Sequence, residues 1–367
     1  MQYLLITDSF KGSISSSDAG FALKSGIGSG EVVPFSDGGE GFLQSIETLC
    51  GGERRYLSVP DSYGREIRTY YLRLGDTAVI ETALADGLVT VGKDHPDIIN
   101  AASVGTGKTV LCAMEDGNKK IIIGFGGSAV NDGGTGALHA LGARFYGKKG
   151  EIRPGGLCGE QCEYVDLSAV TPLLKKTKIV FACDVENPFY GEKGASLVYS
   201  PQKGADMDTA LRMDESHKKL AELLKTASGR DISFVKGAGA AGGLVGGLLS
   251  VCDAEIRSGF DVIADLCSLE EKIKNADIII TGEGKTDGQT LNGKLPKRVL
   301  DMAKKHGKTV CCVSGIITEE GYGLGADICY SLVRDDITPE MTISNPVPYL
   351  KRAGEYIKNK YEGENRK

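Results

Sequence analysis

The sequence predicts an α/β fold, and its length implies two domains or one domain with a large insertion. Three observations carry this. Short apolar runs at 3–7, 120–124 and 276–281 each lead into a loop rich in Gly, Ser or Asp and then into a helical pattern, as parallel strands alternating with helices do. The 367 residues exceed the ~150 of an ordinary domain more than twofold. Glycine, at 51 residues, is about twice its average usage of ~7% and has no repeat period, so the backbone makes many tight turns.

Taken in order, YLLIT at 3–7 is the first buried strand, followed by helices at 18–28 and 40–50. Between 54 and 81 the rhythm changes. RRYLSV, a DSYGRE turn, IRTYYLRL and GDTAVIE read as short strands joined by tight turns, an antiparallel section. A helix is expected at 106–116, a buried strand at 120–124 and a helix at 133–142. A strand at 178–183 precedes a helix at 208–226, whose Leu211, Leu220, Leu223 and Leu224 form an apolar face. A helix at 240–251, a strand at 276–281, a helix at 295–306 and a strand at 309–314 complete the series, and KNKYEGENRK reads as a frayed end. Ligands of open α/β sheets bind at the carboxyl ends of strands, so the loops there are where function is sought.

Composition excludes several classes. Lys and Arg number 43 against 49 Asp and Glu, a net charge of −6, which leaves no basic surplus for a nucleic-acid backbone. The ten cysteines are scattered, several lie in apolar runs and no CxxC occurs, so they read as reduced thiols. Cys158 with Cys162, and the adjacent Cys311 and Cys312, lack the paired spacing of a zinc site. An acid at position 8 and no basic n-region make the N-terminus a strand rather than a signal peptide. No apolar run approaches the ~20 residues of a membrane helix. A soluble, cytoplasmic protein is expected.

Two glycine motifs are incomplete. GTGKT at 105–109 would need glycine at 102 to be a Walker A loop, and alanine stands there. GFGGSA at 124–129 resembles a dinucleotide fingerprint, a second G-x-G-x-x-G contains Gly237, Gly239 and Gly242, and TGEG at 281–284 follows another strand. Three such loops exceed the needs of one nicotinamide cofactor. The acids within the loops say more: Asp37 in SDGGEG, Asp132 in NDGG, Asp184 in CDVENP, Glu283 and Asp287 in TGEGKTDGQ. Glycines let backbone N–H groups approach phosphate oxygens, while carboxylates hold magnesium or accept a hydroxyl proton. Any one such pair is equally a turn or a helix cap, but the repetition points to phosphoryl transfer. Lys11, Lys203 and Lys285 offer point charges for phosphates or a substrate carboxylate, although each taken alone reads as a solvated surface lysine. The histidines His95, His139, His217 and His306 share no motif, and none is assigned to catalysis.

Read together, TDSFKGSISSSDA, PFSDGGEGF, GTGKTVLCAMEDG, IIIGFGGSAVNDGGTGALHALGA, ACDVENPFYGEKGA, SPQKGA, KGAGAAGGLVGGLL and ITGEGKTDGQTLNGKLP resemble, in order, the motifs of the type I glycerate kinase family from residue 3 to about 300. The resemblance implies ATP- and Mg2+-dependent phosphorylation of glycerate, typically at the 2-hydroxyl to give 2-phosphoglycerate. It also implies two α/β domains, one Rossmann-like, with the active-site cleft between them. On this reading residues 1–75 and 270–367 form a discontinuous Rossmann-like domain and 76–269 the inserted one. Glycerate and ATP are the expected partners, and a homo-oligomer is compatible with the sequence.

The resemblance also suggests roles. Asp8, Ser9 and Lys11 are expected at the catalytic centre, Ser9 and Lys11 meeting glycerate or the transferred phosphoryl group, with Asp184 as the base that orients the substrate hydroxyl. Substrate or nucleotide binding is expected of Asp37, Gly38, Gly39, Gly126, Gly127, Ser128, Asn131, Asp132, Lys203, Gly239 and Gly242, with backbone donors of the 126–131 loop lining the phosphate site. Glu283 and Asp287 are expected to hold Mg2+, and sequence order leaves their roles exchangeable with that of Asp184. The chain departs from the family's usual pattern at Lys285, where Arg is common, and at Lys108, where Glu is. Neither is given a role.

Two other readings fit parts of the chain. One is an NAD(P)-dependent oxidoreductase of a small hydroxy acid that uses GFGGSA, which would need a ribose-binding acid ~20 residues further on at a strand that the sequence does not supply. The other is a catalytically inactive sugar-acid-binding protein, against which every acidic loop is intact.

Overall fold

The computed structural model describes residues 1–36, 39, 41–88 and 97–364. Its contacts divide the chain into two compact units, one of Met1–Ser36, Gln44–Gly51 and Phe260–Lys367, the other of Asp37–Leu43 and Gly52–Gly259. Strands are numbered in chain order.

In the first unit β1 (Tyr3–Thr7), β2 (Glu31–Pro34), β12 (Ile278–Thr286), β13 (Thr309–Ile317) and β14 (Ile328–Ser331) form one sheet, ordered β14-β13-β12-β1-β2. Every pairing is parallel. Counted within the unit the order is 2-1-3-4-5, a doubly wound sheet whose direction reverses between β1 and β12. Every residue of β1 is buried, the reason YLLIT is an unbroken apolar run rather than an alternating one.

The tail is not frayed through its described part. Pro346–Glu364 is a helix whose Leu350, Ala353 and Ile357 enter the same core as Leu5, Leu23 and Ile280. It packs on the helix Ser16–Ile27, where a Cβ added at Gly26 would stand 2.0 Å from Lys351 O and one at Gly354 2.3 Å from Leu23 O. Two glycines thus let the two backbones touch.

In the second unit β3 (Glu53–Pro60), β4 (Glu66–Leu74), β5 (Thr77–Glu81), β6 (Lys120–Gly124), β10 (Lys178–Ala182) and β11 (Ala254–Arg257) form a sheet ordered β11-β10-β6-β5-β4-β3. Strands β5, β6, β10 and β11 run parallel, and β3 and β4 add an antiparallel ribbon. Residues 52–75 were expected in the Rossmann-like domain but belong here, and 260–269, expected here, belong to the first unit. Leu74 pairs with Thr77 across a turn in which Gly75 has φ +62°, so β4 must lie beside β5, and β5 lies beside β6. The strands β7 (Arg144–Gly147), β8 (Gly150–Glu151) and β9 (Tyr164–Asp166) make a separate small sheet. Ile80, Ile121, Ile123, Phe181 and Leu244 lie in the main core of this unit.

The expected helix at 240–251 is observed as Ala240–Leu249, but Ala241, Gly242 and Gly243 have positive φ, so its regular part starts later. All ten cysteines are free, and among the described residues no helix is long and apolar enough to cross a membrane.

Candidate active site

In the first unit the loop after β1 carries Asp8, Ser9 and Lys11 to the point where the strand order reverses. Asp8 N donates to Gly282 O at 2.9 Å, extending the pairing with β12, and Ser9 N turns back onto Asp8 Oδ1 at 2.7 Å. The loop lies on Gly284, where an added Cβ would stand 3.4 Å from Lys11 N. Gly282 is fixed as glycine by sterics, since a Cβ there would sit 1.9 Å from Val313 O of the neighbouring strand.

The β12–β13 ladder continues past this point, pairing Glu283 with Ser314 and Thr286 with Ile317, so Glu283 is held on a strand rather than a loop. Its Oε1 accepts from Thr286 Oγ1 at 3.1 Å and from Thr290 Oγ1. Because one hydroxyl has one proton, Thr286 gives its own to Glu283 and accepts from Ser314 Oγ at 2.7 Å. Burial pushes Glu283 above the usual carboxylate range, against the threonine hydrogen bonds and the nearby Lys294. Asp287 differs. Some desolvation acts upward, but the Gln289 N–H at 3.0 Å, Lys285 at 3.3 Å and Lys294 at 3.9 Å hold it below the usual range. Lys294, two residues before the Pro of GKLP, thus joins the group although sequence reasoning assigned it nothing. Its signal was its place in the quoted ITGEGKTDGQTLNGKLP motif.

Among the described residues no three His, Cys, Asp or Glu side chains are grouped as metal ligands. Magnesium is commonly held by one or two carboxylates together with nucleotide phosphates and water, so the hard oxygens of Glu283 and Asp287 fit it in donor type. Lys285 and Lys294 place cations at the same edge, 3.3 and 3.9 Å from Asp287.

In the second unit the loops after β5, β6 and β10 share the carboxyl edge of the parallel strands. Glu81, ending β5, accepts from Gly41 N at 3.2 Å and Leu43 N at 2.9 Å. Gly39 lies against Gly126, whose added Cβ would stand 2.4 Å from Gly39 Cα. Asp37 and Gly38 lie outside the described residues. Gly127 has φ +62° and its carbonyl accepts from Leu88 N at 2.8 Å, while Ser128 Oγ accepts from Val130 N at 3.2 Å. Asp132 is buried and committed within the protein: it accepts from Ser103 N and Oγ at 2.9 Å each, Gly134 N at 3.0 Å and Gly136 N at 2.8 Å. It therefore ties the start of the helix Val104–Glu115 to that of Thr135–Ala140.

Lys203 is not a solvated surface lysine. It is 4% exposed and donates to Val130 O at 2.6 Å, and burial, opposed by Asp132, lowers it to about 8. Asn131 is buried beside Ser196, which the sequence did not single out, and beside Ser196 lies His217, which it left without a role. Asp184, exposed just beyond β10, accepts from Gly259 N at 3.0 Å. At Gly239 and Gly242 the space for a side chain is filled by protein, with Pro188 O and Val130 O each 2.2 Å from an added Cβ, which gives these glycines a packing reason. The structure thus brings Asp8, Ser9, Lys11, Glu283 and Asp287 to one edge of the first unit. It gathers Gly39, Gly126, Gly127, Ser128, Asn131, Asp132 and Lys203 around one loop of the second.

The geometry also disposes of two motifs. GTGKT lies inside the helix Val104–Glu115, where Gly105 and Gly107 press against Pro60 O and Ala137 and Lys108 is exposed on the outer face. GFGGSA leaves β6 but the next helix starts only at Thr135, whereas a dinucleotide fingerprint opens directly into a helix N-terminus. The oxidoreductase reading loses its one support.

Comparison with known proteins agrees with these observations. The model of the glycerate kinase family matches residues 3–362. A glycerate kinase of Halalkalibacterium halodurans is 38% identical over 343 residues, covering 90% of each chain. A glycerate 2-kinase of Escherichia coli is 38% identical over 331 residues, 87% of this chain and 86% of that one. The crystal structure of a candidate glycerate kinase 2 from Salmonella typhimurium LT2 superposes with a TM-score of 0.87 at 33% identity over 100% of both chains. With the loops, the strand order and the full length of the chain all accounted for, the protein belongs to the glycerate kinase family.

Proposed function

We propose that the protein transfers the γ-phosphoryl group of ATP to the 2-hydroxyl of glycerate, giving 2-phosphoglycerate and ADP. The observation that carries this is the family match over residues 3–362, which takes in both units and every acidic loop. The 2-hydroxyl oxygen bonds to the γ-phosphorus, the bond from phosphorus to the ADP oxygen breaks, and the hydroxyl proton passes to Asp184. Ser9 and Lys11 hold glycerate or the moving phosphoryl group. The backbone donors of Gly126, Gly127 and Ser128 line the phosphate site, and Asp8, which accepts from Ser9 N and donates its own N–H to Gly282 O, fixes the course of the β1 loop. Glu283 and Asp287 would hold magnesium, which neutralises phosphate charge when bound. Rate comes mainly from positioning and charge neutralisation, since little covalent chemistry falls to the protein.

A coupled assay of ADP release tests this. Release should need both glycerate and magnesium, stop on exhaustive chelation and return with magnesium or manganese. ADP release indifferent to glycerate, or full turnover after metal removal, contradicts the reading.

A further inference from the structure

Three consecutive residues of the loop after β6 are fastened by three different neighbours. Val130 O receives the Lys203 ammonium, delivered by the 3-10 turn Pro201–Lys203. Asn131 Nδ2 donates to Ser196 Oγ at 3.0 Å, and Ser196 Oγ lies 3.1 Å from His217 Nδ1, on the helix Met207–Ser228. Asp132 is taken by the Ser103, Gly134 and Gly136 N–H groups.

Asn131 Nδ2 takes one lone pair of Ser196 Oγ, and the second hydrogen bond is shared between Ser196 Oγ and His217 Nδ1. Burial lowers His217 to about 4, so the ring is neutral and able to accept, and it is stacked on Phe189 with centroids 5.1 Å apart. This knot is not built for stability. Among the described residues Asn131 Oδ1, His217 Nε2 and Ser200 Oγ have no hydrogen-bond partner though buried, and a buried ammonium is costly where an apolar side chain would pack freely. Polar groups kept at such a cost are usually kept for the geometry they impose.

We propose that Lys203, Ser196 and His217 are positioning residues that set the backbone geometry of the 126–132 loop for phosphoryl transfer and do not themselves touch the substrate. This reassigns Lys203 from phosphate ligand to anchor, and it rests on the functional reading above for the loop's task. An anchor of this kind acts on turnover more than on ground-state binding, because a misplacement of ~1 Å can cost ~10²-fold in rate.

The test uses Lys203→Met and Ser196→Ala in the full chain, with steady-state kinetics and amide hydrogen exchange of residues 126–132. Each folded variant should exchange these amides ~10-fold faster or more than wild type. Each should lower kcat ~30-fold or more while KM for glycerate and for ATP moves less than ~3-fold. Ser196→Ala leaves the ammonium in place and serves if Lys203→Met does not fold. Wild-type exchange in the loop of a folded variant, or a loss confined to the KM for ATP as expected of a direct phosphate ligand, overturns the inference. If wild type itself does not phosphorylate glycerate, the functional reading fails instead, and the exchange data still decide the anchoring.

Discussion

Two buried carboxylates of the second unit carry opposite loads. Asp132 is met by a ring of N–H and hydroxyl donors, whereas Asp86, also fully buried, accepts from Thr106 N at 3.2 Å, and among the described residues its Oδ1 has no partner. Burial, with Asp132 and Asp61 adding like charge, pushes Asp86 up to about 8. The native state therefore keeps a proton that the unfolded chain releases near its ordinary value of ~3.9. Its contribution favours the fold at acid pH and is lost as pH rises through about 8. Asp86→Asn removes the titration, so its Tm should gain on wild type between about pH 5 and about pH 9. A Tm difference that does not change with pH would contradict this assignment. At the other edge, exposed Lys11 is the cation placed by the first loop, and Lys11→Ala should lower kcat/KM for glycerate phosphorylation ~10²-fold with the fold intact. Near wild-type kinetics would remove Lys11 from the site.

Among elements, burial decided what could be read in advance. Tyr3–Thr7, Lys120–Gly124 and Lys178–Ala182 are covered on both faces and stand out as apolar runs, while Glu31–Pro34, Ala254–Arg257 and Ile328–Ser331 are short outer strands, only partly buried, with no such mark. The same holds for the candidate site. Glycine beside an acid is a local pattern, so Asp132, Glu283 and Asp287 were legible, and Asp8 was legible from its place just after the buried run Tyr3–Thr7. Asp86, Ser103, Ser196 and His217 became neighbours only through strand pairing and helix packing, which no local spacing records. The C-terminal helix was hidden by its charged outer face, its inner face being a sparse Leu350, Ala353 and Ile357. Gly26→Ala tests its docking: the methyl must displace Lys351 O, so the substitution should cost about 1–3 kcal/mol and expose residues after 346 to limited proteolysis. Unchanged stability and an intact tail would show that the two helices do not approach as closely as described.

On the scale of the whole molecule, a chain with a net charge of −6 and two anionic substrates proposed for it has little overall charge to attract them, so the proposed reading leaves that to a few placed groups: Lys11, Lys285, Lys294 and the N–H groups of the 126–128 loop. The central claim is the identity of the product. Phosphorus NMR of purified protein with ATP, magnesium and glycerate reads it directly, because phosphate on the 2-oxygen couples to one carbon-bound proton and phosphate on the 3-oxygen to two. A glycerate-dependent ester resonance split into a doublet, growing as ATP declines, is the expected result. A triplet, or no ester while ATP is consumed, would contradict it.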